Sequence, residues 1–392
     1  MAAFNPLHRT TLLLLLSILA ARASSKPQDD DHHVSVWGPK FPFSQYSTRS
    51  SNERPRHASA TTSAHSKIAL HYEPNIFTLG LSGGYYGEVS FGTPPQTLTV
   101  LFGSESRDAW IANFPCGSKH KFYNHSKSSS YIANGTTFGG PDSFASGFYS
   151  EDTMQFGNFA IHHQLFAEVN NVDNFPEYPR TALDGVIGLG RDTAAFDPFQ
   201  LIKTPFHQLV DSGVLDKPVF AFYLNKGVGG ELTLGAIDET HYTGEITYVP
   251  LDSTYDWRIP INTIRVNGKH VTKLHMALVD PIVPVIWGPT DEVEALAEII
   301  GADVDNKYEI DCSSSGPEIV IVIGGTKFAL TKKDYTLRTE GSTVCHWAIN
   351  PMPEQTDAWI LGIPFVEKFY TIFDWGTGTE GTDGRVGLAL RA

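Results

Sequence analysis

Tyr86-Gly87-Glu88-Val89-Ser90-Phe91-Gly92-Thr93-Pro94-Pro95-Gln96 decides the reading of this chain, and Leu98–Phe102 completes it. Val89-Ser90-Phe91 alternates apolar and polar residues, as a half-buried strand does. Gly92-Thr93-Pro94-Pro95 is a turn: glycine tolerates positive φ and proline fixes its own. Leu98–Phe102 reads as the returning strand. It runs into a short polar loop, Gly103-Ser104-Glu105-Ser106-Arg107, and the chain leaves through Trp110-Ile111.

The same texture extends outward. Glu318–Ile323 and Lys327–Leu330 flank Gly324-Gly325, which predicts a hairpin. One helix is expected from Thr290, taken as its cap, to Gly301, with Asp291 and Glu292 in the first turn and Val293, Leu296, Ala297 and Ile300 on one face. Charged residues make up 18% of the chain, below the usual quarter, while 35 glycines and 24 prolines supply turns. The class is mainly β. At 392 residues there is room for two domains. A formal net charge of −14 argues against nucleic acid or an anionic membrane as partner.

The N-terminus reads as a secretory signal over residues 1–23. His8 and Arg9 precede the apolar run Leu12–Ala21, and Ala21-Arg22-Ala23 gives a small-x-small cleavage pattern. The run is too short to span a membrane, which takes about 20 apolar residues, and no later segment qualifies. Residues 24–71 read as a disordered pro-segment or linker, and Asp29-Asp30-Asp31-His32-His33 within it as a solvated charge run. A secreted, extracellular chain permits one disulfide among Cys116, Cys312 and Cys345 and leaves one thiol over. Sequons at Asn124 and Asn134 are candidate glycosylation sites.

Two familiar patterns are set aside. Gly80-Leu81-Ser82-Gly83-Gly84 fits G-x-S-x-G, but a strand follows where a nucleophile elbow needs a helix. Gly376-Thr377-Gly378-Thr379-Glu380-Gly381 fits G-x-G-x-x-G, but it lies between two strands and reads as a hairpin loop. With no H-E-x-x-H and no paired C-x-x-C, neither a metal nor a cofactor is expected.

Taken in order, several segments resemble the pepsin-like aspartic proteases, peptidase family A1. They are Tyr86–Gln96, Leu183–Gly190, Gly230–Gly235 with Ile237-Asp238, Ile360-Leu361-Gly362, Phe369–Asp374 and Val386–Ala389. The resemblance implies a bilobal β fold with two pseudo-symmetric lobes, 72–242 and 243–392, and a central cleft between them. It also implies a disulfide from Cys312 to Cys345. Cys116 falls where the family begins a second, short disulfide loop, and no partner follows. It is a relic thiol or a bridge to a second copy.

In that family each lobe supplies one aspartate from an Asp-Thr-Gly triplet, and the pair shares a proton across an attacking water; a like-charge pair of this kind, in pepsin, is a standard example. Here the triplets are degenerate. Gly103-Ser104-Glu105 stands at the first, so the aspartate is a glycine and the glycine a glutamate. Asp280-Pro281-Ile282 stands at the second: Asp280 remains, Pro281 brings neither hydroxyl nor N–H, and Ile282 fills the glycine position. The tyrosine expected on the cleft-covering hairpin falls at Gly140, with Phe138 the nearest aromatic. The expectation is a non-catalytic protein that holds a peptide or protein through the cleft or its outer surface, with Glu105, Ser106, Phe138, Gly140, Ile282 and Trp287 as cleft candidates. The competing expectation is a residual acid endopeptidase that uses Asp280 with Glu105.

Overall fold

The computed structural model describes residues 58–60, 64–74, 83–115, 120–139, 145–172, 178, 181–191, 203–254, 256–272, 275–303, 309–313, 315–338, 344–352, 358–378 and 381–392. Cys116, Gly140, the signal segment 1–23 and most of 24–71 lie outside them.

The fold is mainly β and bilobal, as the resemblance implies. A 14-stranded sheet begins at Tyr242–Pro250, passes through Arg385–Arg391, Phe369–Asp374, Val219–Asn225, Gly229–Leu234 and Ser66–Glu73, and enters the first lobe at Gly84–Phe91. There it continues through Gln96–Gly103, Gly185–Gly188, Ala109–Ala112 and Phe159–Asn171 to the outer hairpin, Ser146–Phe156 with Ile132–Phe138. The second lobe is built on an eight-stranded sheet that includes Arg258–Val266, His275–Val279, Ile286–Gly288 and Ala358–Leu361. A three-stranded sheet, Glu309–Asp311, Val344–Trp347 and Thr336–Arg338, carries the Cys312–Cys345 disulfide.

One supersecondary unit occurs twice. Gln96–Gly103 runs parallel to Gly185–Gly188, which runs antiparallel to Ala109–Ala112. His275–Val279 runs parallel to Ala358–Leu361, which pairs antiparallel with Ile286–Gly288 through Trp287 and Ile360. Gly103 is thus paired with Gly188, and Val279, the residue before Asp280, with Leu361.

Three sequence expectations need correcting. The linker assigned to 24–71 ends too late, because Ala58–Ala60 pairs with Phe159–Ile161 and Ser66–Glu73 lies inside the large sheet. Ser66, Ile68 and Leu70 alternate buried with exposed Lys67, Ala69 and His71, a two-residue period hidden by its polar neighbours. The lobe division at 242/243 cuts across a shared sheet, since Tyr242–Pro250, Phe369–Asp374 and Arg385–Arg391 all join it. Thr290 is the first helical residue of Thr290–Ile300 rather than its cap; Pro289 precedes the helix without a side-chain bond. The Gly324-Gly325 turn is as expected, with φ of 57° and 81°, values glycine adopts without strain.

A second helix, Pro205–Ser212, was not anticipated. Thr204 caps it by accepting from His207 N, and Pro205 opens it. Its Phe206 meets Phe220, which stacks on Phe373 with ring centroids 4.6 Å apart. Arg191 is buried between Trp257 and Trp375, 4.8 and 4.5 Å from their ring centroids, and so ties the end of the first-lobe unit to the second lobe.

Candidate functional site

Gln96–Gly103 and His275–Val279 deliver the two degenerate triplets to the junction of the lobes. In the first, Leu189 N donates to Gly103 O at 2.8 Å, Gly190 N to Ser106 O at 2.8 Å and Gly188 N to Asp108 O at 3.0 Å. A Cβ on Gly188 would stand 2.4 Å from Ser106 O, so that approach requires glycine. In the second, Asp280 N donates to Leu361 O at 3.1 Å and Ile363 N to Val283 O at 2.7 Å. Both loops are thus clamped by backbone bonds to the glycine-containing segment beside them, the first only accepting and the second donating at Asp280 and accepting at Val283.

What crosses between the loops is one-sided. Ser104 Oγ donates to Val279 O at 2.6 Å, and Ser104 N donates to Asp280 Oδ1 at 3.3 Å. The equivalent position on the other loop is Pro281, which has no hydroxyl to return the bond and no N–H. Ile282 N supplies a further bond to Asp280 Oδ1 at 3.2 Å.

The space beside Gly103 is filled. A Cβ built on Gly103 would come 2.8 Å from Ile282 Cδ1, closer than two carbons pack. Ile282 is 6% exposed and belongs to the core that contains Val279, Val283 and Leu361. The two substitutions are complementary: the glycine in one triplet makes room for the isoleucine in the other.

Asp280 is fully buried, and its Oδ2 meets no hydrogen-bond partner among the described residues. Burial pushes its carboxyl up to about 7; the nearby Glu105 adds to this, while the N–H groups of Ile282, Ser104 and Glu105 pull the other way. Glu105 is itself 7% exposed. The structure therefore brings Glu105 and Asp280 together, and it buries both.

Of the other cleft candidates, Ser106 stays at this centre, its Cβ 3.9 Å from where a side chain at position 103 would begin. Ser106 is half-buried and donates to Asp108 O at 3.2 Å. Phe138 lies edge-to-face on Tyr149 at 5.5 Å, against the cluster around Trp110. Trp287 is half-buried against Val285, Leu337 and Ala348, and its Nε1 meets no acceptor among the described residues. Tyr149 was not foreseen: its hydroxyl donates to Asp108 Oδ1 at 2.7 Å and ties the outer hairpin to the Gly103 loop. Ser104 was missed as well, although a hydroxyl at the triplet's threonine position was its signal.

Outside this junction, Glu231, Asp238 and His241 bring ligand atoms within 4.8 Å of one another. The Lys67 ammonium already sits on Asp238 and lies 3.1 Å from Glu231, so a cation occupies that place. Asn124 is half-buried, with its Oδ1 accepting from Ser126 N and Oγ at 3.0 and 2.7 Å; Asn134 is exposed. Cys312 and Cys345 are joined, with Cα atoms 5.2 Å apart. None of the described helices is long and apolar enough to cross a membrane.

Comparison with known proteins gives a consistent answer. The family model for eukaryotic aspartyl protease matches residues 84–389. Vacuolar protease A of Aspergillus fumigatus is 34% identical over 319 residues, covering 77% of this chain and 79% of the relative. Cathepsin D of Gallus gallus is 33% identical over 326 residues, 77% and 80% of the two chains. Renin of Canis lupus familiaris is 32% identical over 339 residues, 81% of each.

Proposed function

Given that the chain belongs to the eukaryotic aspartyl protease family, we propose that it is a secreted member that binds a peptide or protein through the cleft or the outer surface without cutting it. The observation that carries this is the Ile282 methyl group lying 2.8 Å from where a side chain at position 103 would begin. Acid proteolysis by this fold needs two carboxylates facing one water. Here one carboxylate is absent and apolar carbon fills its volume. The other, Asp280, is fully buried. Losing one general base or acid alone costs typically 10²–10⁴-fold in rate.

The test is an acid-pH cleavage assay on an unbiased peptide library. No turnover above that of Asp280→Asn is expected; turnover that disappears in Asp280→Asn would reject the reading. A pull-down with Trp287→Arg then locates the ligand: loss places it in the cleft, retention on the outer surface.

A second reading has one specific observation in its favour. Glu105 and Asp280 are two buried carboxylates that act on each other, and Asp280 is pushed up to about 7. A pair sharing one proton is the chemistry of a residual acid endopeptidase. Equal loss of a measurable activity in Glu105→Gln and in Asp280→Asn would support it.

A further inference from the structure

Among the described residues, Glu231, Asp238 and His241 are the one group that joins two carboxylates to an imidazole with all ligand atoms within 4.8 Å. Glu231 lies on the strand Gly229–Leu234. Asp238 caps the short 3₁₀ helix Glu239–His241, accepting from Thr240 N at 2.9 Å. Six residues separate the first pair and two the second, so the group matches none of the metal motifs sought in the sequence.

Each side chain is held from behind. Thr240 Oγ1 donates to Asp238 Oδ1 at 2.6 Å, and Thr233 Oγ1 donates to Glu231 Oε1 at 2.9 Å. The His241 ring stacks on Tyr223 with centroids 4.2 Å apart and meets Tyr370 edge-on at 6.0 Å. Its backbone carbonyl accepts from Ala392 N at 3.0 Å. Outer partners of this kind orient the ligands of metal sites.

The imidazole itself is loosely engaged. Its Nδ1 is buried and makes no hydrogen bond among the described residues, lying 3.7 Å from Glu231 Oε1, and its Nε2 is 3.9 Å from Asp238 Oδ2. The Lys67 ammonium rests on Asp238 and 3.1 Å from Glu231, at the end of a side chain that is 48% exposed. One positive charge therefore faces two negative ones. A half-exposed lysine is screened by salt and loses side-chain entropy when it pairs, so it adds only about fivefold to an equilibrium constant. A dication balances both carboxylates and uses the imidazole nitrogen as well.

We propose that this cluster is a zinc site, in which Zn²⁺ takes the place of the Lys67 ammonium. Two carboxylate oxygens and an imidazole nitrogen are a zinc donor set with bonds of about 2.0–2.2 Å, so the three side chains draw together by ~1–1.5 Å and a fourth position is left for water. Ca²⁺ and Mg²⁺ take six or more oxygen ligands and gain little from an imidazole. No covalent bond changes: Lys67 moves into solvent as its ammonium, and zinc sheds water. The site is independent of the reading of the cleft.

The purified full chain, stripped with a chelator and exchanged into chelator-free buffer, is titrated with ZnCl₂ by calorimetry. One ion per chain is expected, and none with CaCl₂ or MgCl₂. Lys67→Met should tighten the zinc by about fivefold or more, because the ammonium no longer competes. His241→Phe keeps a ring on Tyr223, and it and Asp238→Asn should each weaken zinc by about 100-fold or more. CoCl₂ added to the wild type should give the visible absorption of a four-coordinate site, a readout that needs no variant. Wild type that takes up no zinc overturns the proposal even where Lys67→Met binds, since Lys67 then holds the place. Zinc uptake left unchanged by both His241→Phe and Lys67→Met also overturns it, and moves the ion to other histidines.

Discussion

At Gly103 the chain leaves a strand that runs parallel to Gly185–Gly188, and at Asp280 it leaves one that runs parallel to Ala358–Leu361. Both loops are gripped by backbone bonds from the glycine-ended segment beside them. Past the backbone the likeness stops. The first loop brings a hydroxyl, Ser104, to the crossing and no side chain at Gly103; the second brings a carboxylate, Asp280, and no hydroxyl at Pro281. The comparison teaches that backbone clamps and catalytic groups are separable. The clamps hold each loop within its own lobe and involve only backbone atoms, so they make no demand on the side chains at the centre.

The largest expected effect breaks the comparison at its centre. Gly103→Asp alone should give no acid peptidase activity and should destabilise the fold by ~1–3 kcal/mol through overpacking on Ile282. Combining it with Glu105→Gly, Pro281→Thr and Ile282→Gly should raise turnover by two or more decades above the single variant. A peptide-library assay at acid pH checks both; wild-type-like family rates from Gly103→Asp alone would show that Ile282 yields easily.

The next effect concerns protons. The folded Asp280 titrates near 7 against 3.8 for the free group. The folded state thus binds the proton more tightly, so this contribution to stability is fully present below about pH 4. It fades as pH rises through about 7, by on the order of a few kcal/mol. Urea midpoints at pH 4 and pH 8 measure it. Asp280→Asn should flatten the difference, and Glu105→Gln should shrink it by removing the neighbouring charge.

That pH dependence was not readable in the sequence. Asp280 and Glu105 were visible as members of broken triplets, but their mutual burial arises where the two loops meet, with Ile282 against Gly103. Those residues are in different lobes, and no local pattern links them. What was legible was local: the Gly324-Gly325 hairpin, the strands around Thr93-Pro94, and the helix ending at Gly301. Ser66–Glu73 was missed because its alternation is short and set in a Ser- and His-rich stretch. Pro205–Ser212 was missed although Thr204, Pro205 and Gly213 are ordinary start and stop signals.

Two smaller effects sharpen the contrast. Replacing Cys312 and Cys345 by serine opens a 33-residue loop in the second lobe and should cost ~3–4 kcal/mol in chain-entropy terms. Urea denaturation of the protein with and without reductant checks this. Ser104→Ala removes the hydroxyl that reaches Val279 and should cost about 1–3 kcal/mol, because a buried carbonyl loses its donor. Pro281→Thr, which restores a hydroxyl on the opposite loop, should recover part of that loss in the Ser104→Ala background if the crossing is tight enough to use either side.

The shared sheet sets the order in which this protein can be made. Ser66–Glu73, near one end of the described chain, lies beside Gly229–Leu234, and Val219–Asn225 pairs in turn with Phe369–Asp374, with Arg385–Arg391 next to it. As the chain emerges from the ribosome, the first-lobe unit around Gly103 can assemble early, but its sheet has no finished edge until the last strand is released. Such distant pairing predicts slow folding. It also predicts that a chain stopped just before Arg385 leaves Phe369–Asp374 as an open edge, a form prone to aggregation.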